Sequence, residues 1–420
     1  MGLGNIWRFP YMTGQNGGAA FILIYLVCIF MLGIPGMVAE FIIGRHSAAN
    51  AARSYKNLSN GKPWGVIGYM GVFTSMIILG FYAVVAGWCL QYLYASIMAE
   101  VQGDANFVKE YFASFSSDAV RPTLWTIAFI LLTHVVVVKG VRNGIERASK
   151  ILMPLLFVLL VVLVVASCSL QGAWKGVEFL LKPDFSKVDQ SVMIEALGQA
   201  FFSLSLGTAC LCTYASYFSR QTNLLKTATQ IAFLDTLIAI LAGLMIFPAA
   251  FSVGVQPDSG PSLIFITLPN VVGYVISVLF YALLVLAALT STISMHEIGT
   301  AFFYEEMHIS RRGGAWIETV ACCVIGIFCA LSCGAVPELT FFGKSFLNCC
   351  DNFTAQWLMP MASFFTCIFV GWYIPKKVVH DEFTNWSTLR GRFFGVYLFM
   401  VRFVCPLCIL IIFLHQLGVL

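Results

Sequence analysis

The chemistry available to this chain sits in a few oxygen-bearing side chains set among apolar ones. Asp235 lies in IAFLDTLIAILAGL, a carboxylate with no other charge in the run. An acid inside an apolar span is costly, and so it is a candidate functional group by default. ALTSTIS places the hydroxyls of Thr290 and Ser291 in another such run, where plain hydroxyl-to-carbonyl bonding within or between helices is the alternative use. Two further stretches set glycine beside polar residues. GLGNIWRFP carries Gly2, Gly4, Asn5, Arg8 and Pro10, and GQAFFSLSLGTACLCTYASY carries Gly198, Gln199, Ser203, Ser205, Gly207 and Thr208. Such glycines can serve close helix packing. Unwound backbone at membrane depth, by contrast, is tolerated where it lines a polar cavity or is buried in protein. Two interruptions, each with side-chain oxygens, point to a binding site.

Other motifs exclude functions. HEIGT, from His296, lacks the second histidine of a metalloprotease. GLGNIW lacks the last glycine and the preceding strand of a dinucleotide fingerprint. No nucleophile–base pair or metal-ligand cluster supports an enzyme. His134 reads as a satisfied core histidine, and Glu40 and Glu297 as members of cytoplasmic-side hydrogen-bond networks.

The elements that must position these groups follow from composition. Of 420 residues, 59% are hydrophobic and 10% charged, against roughly 25% charged in a soluble protein. Apolar runs long enough to span recur at 18–44, 66–99, 123–139, 147–169, 197–217, 226–250, 272–304, 315–333, 350–374 and 393–418, and with the opening stub they make eleven. Each is continuous rather than alternating, so an all-α transmembrane bundle is expected, not a barrel. The first and sixth spans, the two interrupted ones, are five apart. That order predicts one transmembrane domain over 1–420 with repeats at about 1–170 and 190–374 and an extra helix at 393–418.

Alternate loops hold sixteen Lys and Arg against six in the others, which places the amino terminus in the cytoplasm of a multi-pass protein of the cell (inner) membrane. The net charge of +4 is therefore an orientation signal and does not indicate nucleic acid. Most of the fourteen cysteines fall inside spans and read as small packing residues. The longer outer loops carry no glycosylation sequon, which favours a prokaryotic source.

GLGNIWRFPYMTGQNGGAAF, GIPGMVAEFIIGR, KGVRNGIERASKILMPLLF, GQAFFSLSLG with TYASY, and ALTSTIS resemble the neurotransmitter:sodium symporter family, prokaryotic branch, along the whole chain. The resemblance implies the LeuT fold: eleven helices in two inverted five-helix repeats, with helices 1 and 6 unwound at the midplane. It also implies that the inner half of helix 1 precedes Met1, so that this chain is truncated there.

The resemblance further implies two sodium sites. The first falls on Asn5, Ser203 and Asp235, joined by the substrate carboxylate. The second falls on the Ala287 carbonyl, the Thr290 and Ser291 hydroxyls and a carbonyl at Met1, and is incomplete where it needs backbone upstream of Met1. Oxygen donors suit a hard cation. A substrate that ligates its coupling ion gives reciprocal coupling. The resemblance places the substrate, a neutral amino acid with a medium or large hydrophobic or aromatic side chain, on the Leu3 and Gly4 amides and the Tyr82 hydroxyl. Carbonyls of Phe202, Ser203 and Ser205 take its amino group, and Ile78, Phe202, Thr208, Ser291 and Met295 surround its side chain. Gly2, where monoamine carriers place an aspartate, argues against an amine lacking a carboxylate.

Tyr25, Gln199, Ser203 and Asp235 match the family's chloride-site positions, and the Asp235 charge implies chloride independence. Arg8 with Asp351 matches the outer gate, Tyr82 with Phe202 the aromatic lid, and Tyr217 with Glu305 the inner closing network. The expected function is sodium-coupled amino-acid symport by alternating access. The alternative is a non-transporting sensor, or an inactive truncated member of the same fold.

Overall fold

A computed structural model describes residues 2, 4–101, 105–252, 254, 273–336, 338–341 and 343–416. Met1 and Leu3, expected at the second sodium site and the substrate carboxylate, lie outside the described residues.

The chain is helical almost throughout. Helix α1 begins as a π-helical turn, Gly4–Arg8, and continues as Phe9–Gln15. Then come α2 (Ala19–Ser47), the short α3 (Ala51–Leu58), α4 (Gly65–Ile97), α5 (Ala105–Ser116), α6 (Arg121–Val137) and α7 (Val141–Cys168). The second half holds α8 (Trp174–Leu181), α9 (Gln190–Ser203), α10 (Cys210–Ala215), α11 (Leu224–Ser252) and α12 (Gly273–Glu306). It closes with α13 (Arg311–Leu331), α14 (Phe346–Tyr373), α15 (Lys376–Phe383) and α16 (Phe394–His415). A hairpin of Thr340–Phe341 with Lys344–Ser345 precedes α14.

Among the described residues eight helices are long and apolar enough to cross a membrane, and α6, at 17 residues, meets α5 at a 73° bend. The remaining two of the eleven expected spans are the interrupted ones: α1, and the α9–α10 pair. The sixth begins at Gln190, earlier than its apolar run, because Asp189 caps the helix by accepting from Val192 N at 2.9 Å. Likewise α13 starts at Arg311, whose charge is held by Glu297 of α12.

The two longest helices, α4 and α12, pack along each other and together wall one side of the centre, while α2, α9 and α16 pack on the other. At roughly 1.5 Å per residue both exceed a ~30 Å hydrocarbon core, long enough to span it with tilt or with ends beyond it. By contrast α7 turns Ile151, Leu155, Val158, Val162 and Val165 outward, as a lipid-facing helix does.

Candidate substrate and ion site

The centre is organised by the gap between α9 and α10. Ser205 (φ 53°), Gly207 (φ 77°) and Ala209 (φ 62°) are left-handed in alternation, a pattern no α-helix can contain. Each non-glycine in that region costs about 1–2 kcal/mol, so the break must be held from outside. Glu40 of α2 accepts the Gly207 N–H at 2.7 Å, and Ser75 of α4 donates its hydroxyl to the Thr208 carbonyl at 2.5 Å. Thr208 turns its own hydroxyl back to the Ser205 carbonyl at 2.8 Å. A Cβ on Gly207 would collide with the Met359 carbonyl, so glycine is required for space as well as for φ.

Facing this break, the α1 turn brings Asn5 to α11. Asn5 Nδ2 donates to Asp235 Oδ1 at 2.6 Å and to the Asp235 carbonyl at 3.1 Å, and Ser203 Oγ donates to Asp235 Oδ2. With its nitrogen spent on Asp235, Asn5 keeps its amide oxygen for another partner. The Tyr25 hydroxyl lies beside Ser203 and Thr236. Gln199, one turn before Ser203, is buried, and neither its amide nitrogen nor its oxygen finds a partner among the described residues.

On α12, Thr290 Oγ donates to the Ala287 carbonyl at 2.9 Å. Gly2 fits so closely against Ser291 that a Cβ there would meet its hydroxyl, with Tyr82 Oη 3.3 Å away. Among the described residues no three His, Cys, Asp or Glu side chains converge on one point. The clustered donors are hydroxyl, amide and single-carboxylate oxygens, the set that suits a hard monovalent cation rather than a transition metal.

Between these elements lies a cavity of about 350 Å³. Gly4, Asn5, Ser203, Asp235, Thr290 and Ser291 form its polar lining, and Ile78, Tyr82, Phe202, Ser205, Thr208 and Met295 complete the set expected there. Ala287, Tyr25 and Gln199 sit behind that lining. Sequence reasoning missed the α7 wall, Ser149 and Met153, and the Tyr214–Ser294 hydrogen bond at 3.1 Å on the lining. Nothing in the apolar run of α7 distinguished its inward face.

The gate residues fall close to expectation but pair differently. The Arg8 guanidinium sits 4.1 Å from the Phe202 ring centroid, over the lid, and makes no ion pair with Asp351. At the other end Tyr217 and Glu305 belong to separate networks. Tyr217 Oη donates to Glu297 Oε1 at 2.8 Å, and Arg311 grips the same carboxylate with both terminal nitrogens. Glu305 instead accepts from the backbone N and Nδ2 of Asn50, at 2.8 and 2.9 Å, and its carbonyl takes Arg53. The physical reason is reach: Glu297, two turns earlier on α12, lies opposite Tyr217, whereas Glu305 lies over the start of α3.

A helical membrane bundle whose sixth span breaks, and whose first helix has its Gly4–Arg8 turn, at an oxygen-lined cavity has the form of a secondary transporter. The comparisons agree. Over its whole length the chain is 37% identical to the uncharacterized sodium-dependent transporter YhdH of Bacillus subtilis, covering 94% of that protein. It is 35% identical to an uncharacterized sodium-dependent transporter of Haemophilus influenzae, over 99% of this chain and 94% of the other. The crystal structure of MhsT in complex with L-phenylalanine matches with a TM-score of 0.91 and 40% identity, covering 99% of this chain and 95% of that one.

This chain belongs to the sodium:neurotransmitter symporter family, whose profile matches residues 1–105 and 114–420. It is a sodium-dependent membrane transporter of the LeuT fold and not an enzyme.

Proposed function

We propose that the chain carries a neutral L-amino acid with a hydrophobic or aromatic side chain across the cell membrane together with sodium, by alternating access and without chloride. The observation that carries this reading is the two-ended cavity. On one side Asn5, through its amide nitrogen, and Ser203, through its hydroxyl, are tied to the Asp235 carboxylate. On the other, Ile78, Phe202 and Met295 offer apolar walls. A solved relative holds L-phenylalanine, which has both ends.

In this reading the first sodium takes Asn5, Ser203 and Asp235, and the substrate carboxylate completes its shell. The second takes the Ala287 carbonyl, Thr290 and Ser291, with Met1 as the α1 contribution. The Leu3 and Gly4 amides and Tyr82 receive the carboxylate, and the carbonyls of Phe202, Ser203 and Ser205 take the ammonium. Because the ion and the carboxylate share a shell, each raises the other's affinity by the same factor. Thr208 spends its hydroxyl on Ser205 and so adds no free donor to the side-chain end, which suits an apolar substrate.

Asp235 supplies the negative charge that an anion would otherwise bring, and the amino terminus faces the cytoplasm. Uptake of radiolabelled L-amino acids into proteoliposomes, driven by an inward sodium gradient with potassium as control, tests the reading. Sodium-driven accumulation of large neutral amino acids is expected. Sodium-dependent binding with no net flux would refute transport, and preference for a charged or carboxylate-free substrate would refute the assignment of the cavity ends.

A further inference from the structure

Behind the cavity wall lies a second buried polar cluster that the transport site does not use. Glu318 of α13 is fully buried, and its carboxyl lies flat against α12 at Gly299, where a Cβ would overlap it. Its Oε1 has one partner, the Cys322 thiol at 3.3 Å, and its Oε2 has none among the described residues. The Cys322 sulfur also reaches the Met76 carbonyl of α4, at 3.7 Å.

Among the described residues no cation faces this acid. On α13 itself, Arg311 is committed to Glu297. From α6 and α12, His134 and His296 both address Thr319, at 2.7 and 2.8 Å, while the Thr319 hydroxyl donates to the Ala315 carbonyl at 2.7 Å. A hydroxyl has one proton and two lone pairs, so both imidazoles present N–H to Thr319. His296 Nδ1 is then left to accept from Thr300 at 3.0 Å. From α4 the Met76 carbonyl meets the Cys322 sulfur.

Counting protons decides the form of the acid. A carboxylate here would have one weak S–H donor in a buried apolar setting, and an isolated buried charge is far costlier than a neutral acid. An undissociated carboxyl donates its O–H to the Cys322 sulfur, the S–H turns to the Met76 carbonyl, and each proton has an acceptor. Cys322 shares a buried cluster with Leu79 and Ala83 of α4 and Ile130 of α6; Met295 of α12 packs against that cluster and lines the cavity. Ionisation would set an unpaired charge in the tight notch between α13 and α12 at Gly299, one helical turn from Met295 of the cavity lining.

We propose that Glu318 is a positioning residue for the substrate cavity that acts as an undissociated acid, and that loss of its proton sets the alkaline limit of transport. Two readouts are taken on the full chain from neutral to strongly alkaline pH. One is the melting temperature of purified, ligand-free protein. The other is KM for sodium-driven L-phenylalanine uptake, which rests on the proposed function.

Glu318→Gln keeps the shape and cannot ionise. Its melting temperature relative to the parent is expected to climb with pH up to the titration point of the folded acid and then level off, because unfolding of the parent releases a proton only while the folded acid holds one. Past the titration point the parent's KM rises about tenfold per pH unit and the variant's stays flat. Parallel melting curves for the two chains, or a Glu318→Gln protein that melts normally yet is inactive at neutral pH, overturn the proposal. Should L-phenylalanine not be carried at all, the substrate assignment fails and the melting comparison still decides. If Glu318→Gln does not fold, Cys322→Ala removes the partner of the acid, and an unmoved alkaline limb in that variant overturns the proposal as well.

Discussion

Replacing Asp235 with asparagine tests the ion chemistry most directly. The carboxylate is 7% exposed and accepts from Asn5 and Ser203, so the substitution changes charge with little change of shape. At about 4 Å and an effective dielectric near 20, a unit charge attracts a cation by about 4 kcal/mol. Part of this returns because the neutral amide no longer pays the burial of a charge. A net loss of about 2 kcal/mol remains, roughly thirtyfold in sodium affinity.

The assay is the sodium-activation curve for uptake into proteoliposomes, run in chloride and in gluconate. The parent curve should be the same in both. Asp235→Asn should shift to about thirtyfold higher sodium in gluconate and recover in part in chloride, because Tyr25, Gln199 and Ser203 then surround a position that lacks negative charge. The reasoning is refuted if parent uptake collapses in gluconate, or if the variant's curve there stays within about twofold of the parent's.

Other consequences are equally accessible. Gly207→Ala meets both a positive φ and the Met359 carbonyl, so it should lower stability by about 1–3 kcal/mol, seen as a lower melting temperature and lost uptake; an unchanged melting temperature would contradict the assigned break. Glu297→Gln weakens the contacts to Tyr217 and Arg311, each worth roughly 1.5–3 kcal/mol when charged. Alkylation of Cys210, which lines the cavity, should accelerate from the cytoplasmic side, and equal rates would sink the inner-closure role. Removing sodium should lower the melting temperature, since an ion at a hundred times its Kd stabilises by about 2.7 kcal/mol; potassium protecting equally well would deny a selective site.

Much of the site was legible because each of its members breaks an apolar run. Asp235, the glycines of the two interruptions and the hydroxyls of ALTSTIS stand out against leucine and alanine, and the structure gathers most of them at one cavity. What stayed hidden lacked that contrast. Glu318 lies seven residues past Arg311, near the charged edge of its span, and reads as a terminal residue although the same rule that marks Asp235 applies to it. Whether Tyr217 meets Glu297 or Glu305 depends on the rotation of α10 against α12, which periodicity does not determine. The start of α9 was missed because capping by Asp189, and not hydrophobicity, begins it.

Phe202 bounds the cavity, lies so near Gly4 that a Cβ there would come within 3.2 Å of the ring, and has the Arg8 guanidinium 4.1 Å from its centroid. If Arg8 serves the outer gate, as the family resemblance implies, the size of whatever lies beneath that ring is transmitted through a single rigid plate to the gate's charge. Bulky and slight cargoes should then be told apart less by how tightly they are held than by how quickly the door closes over them.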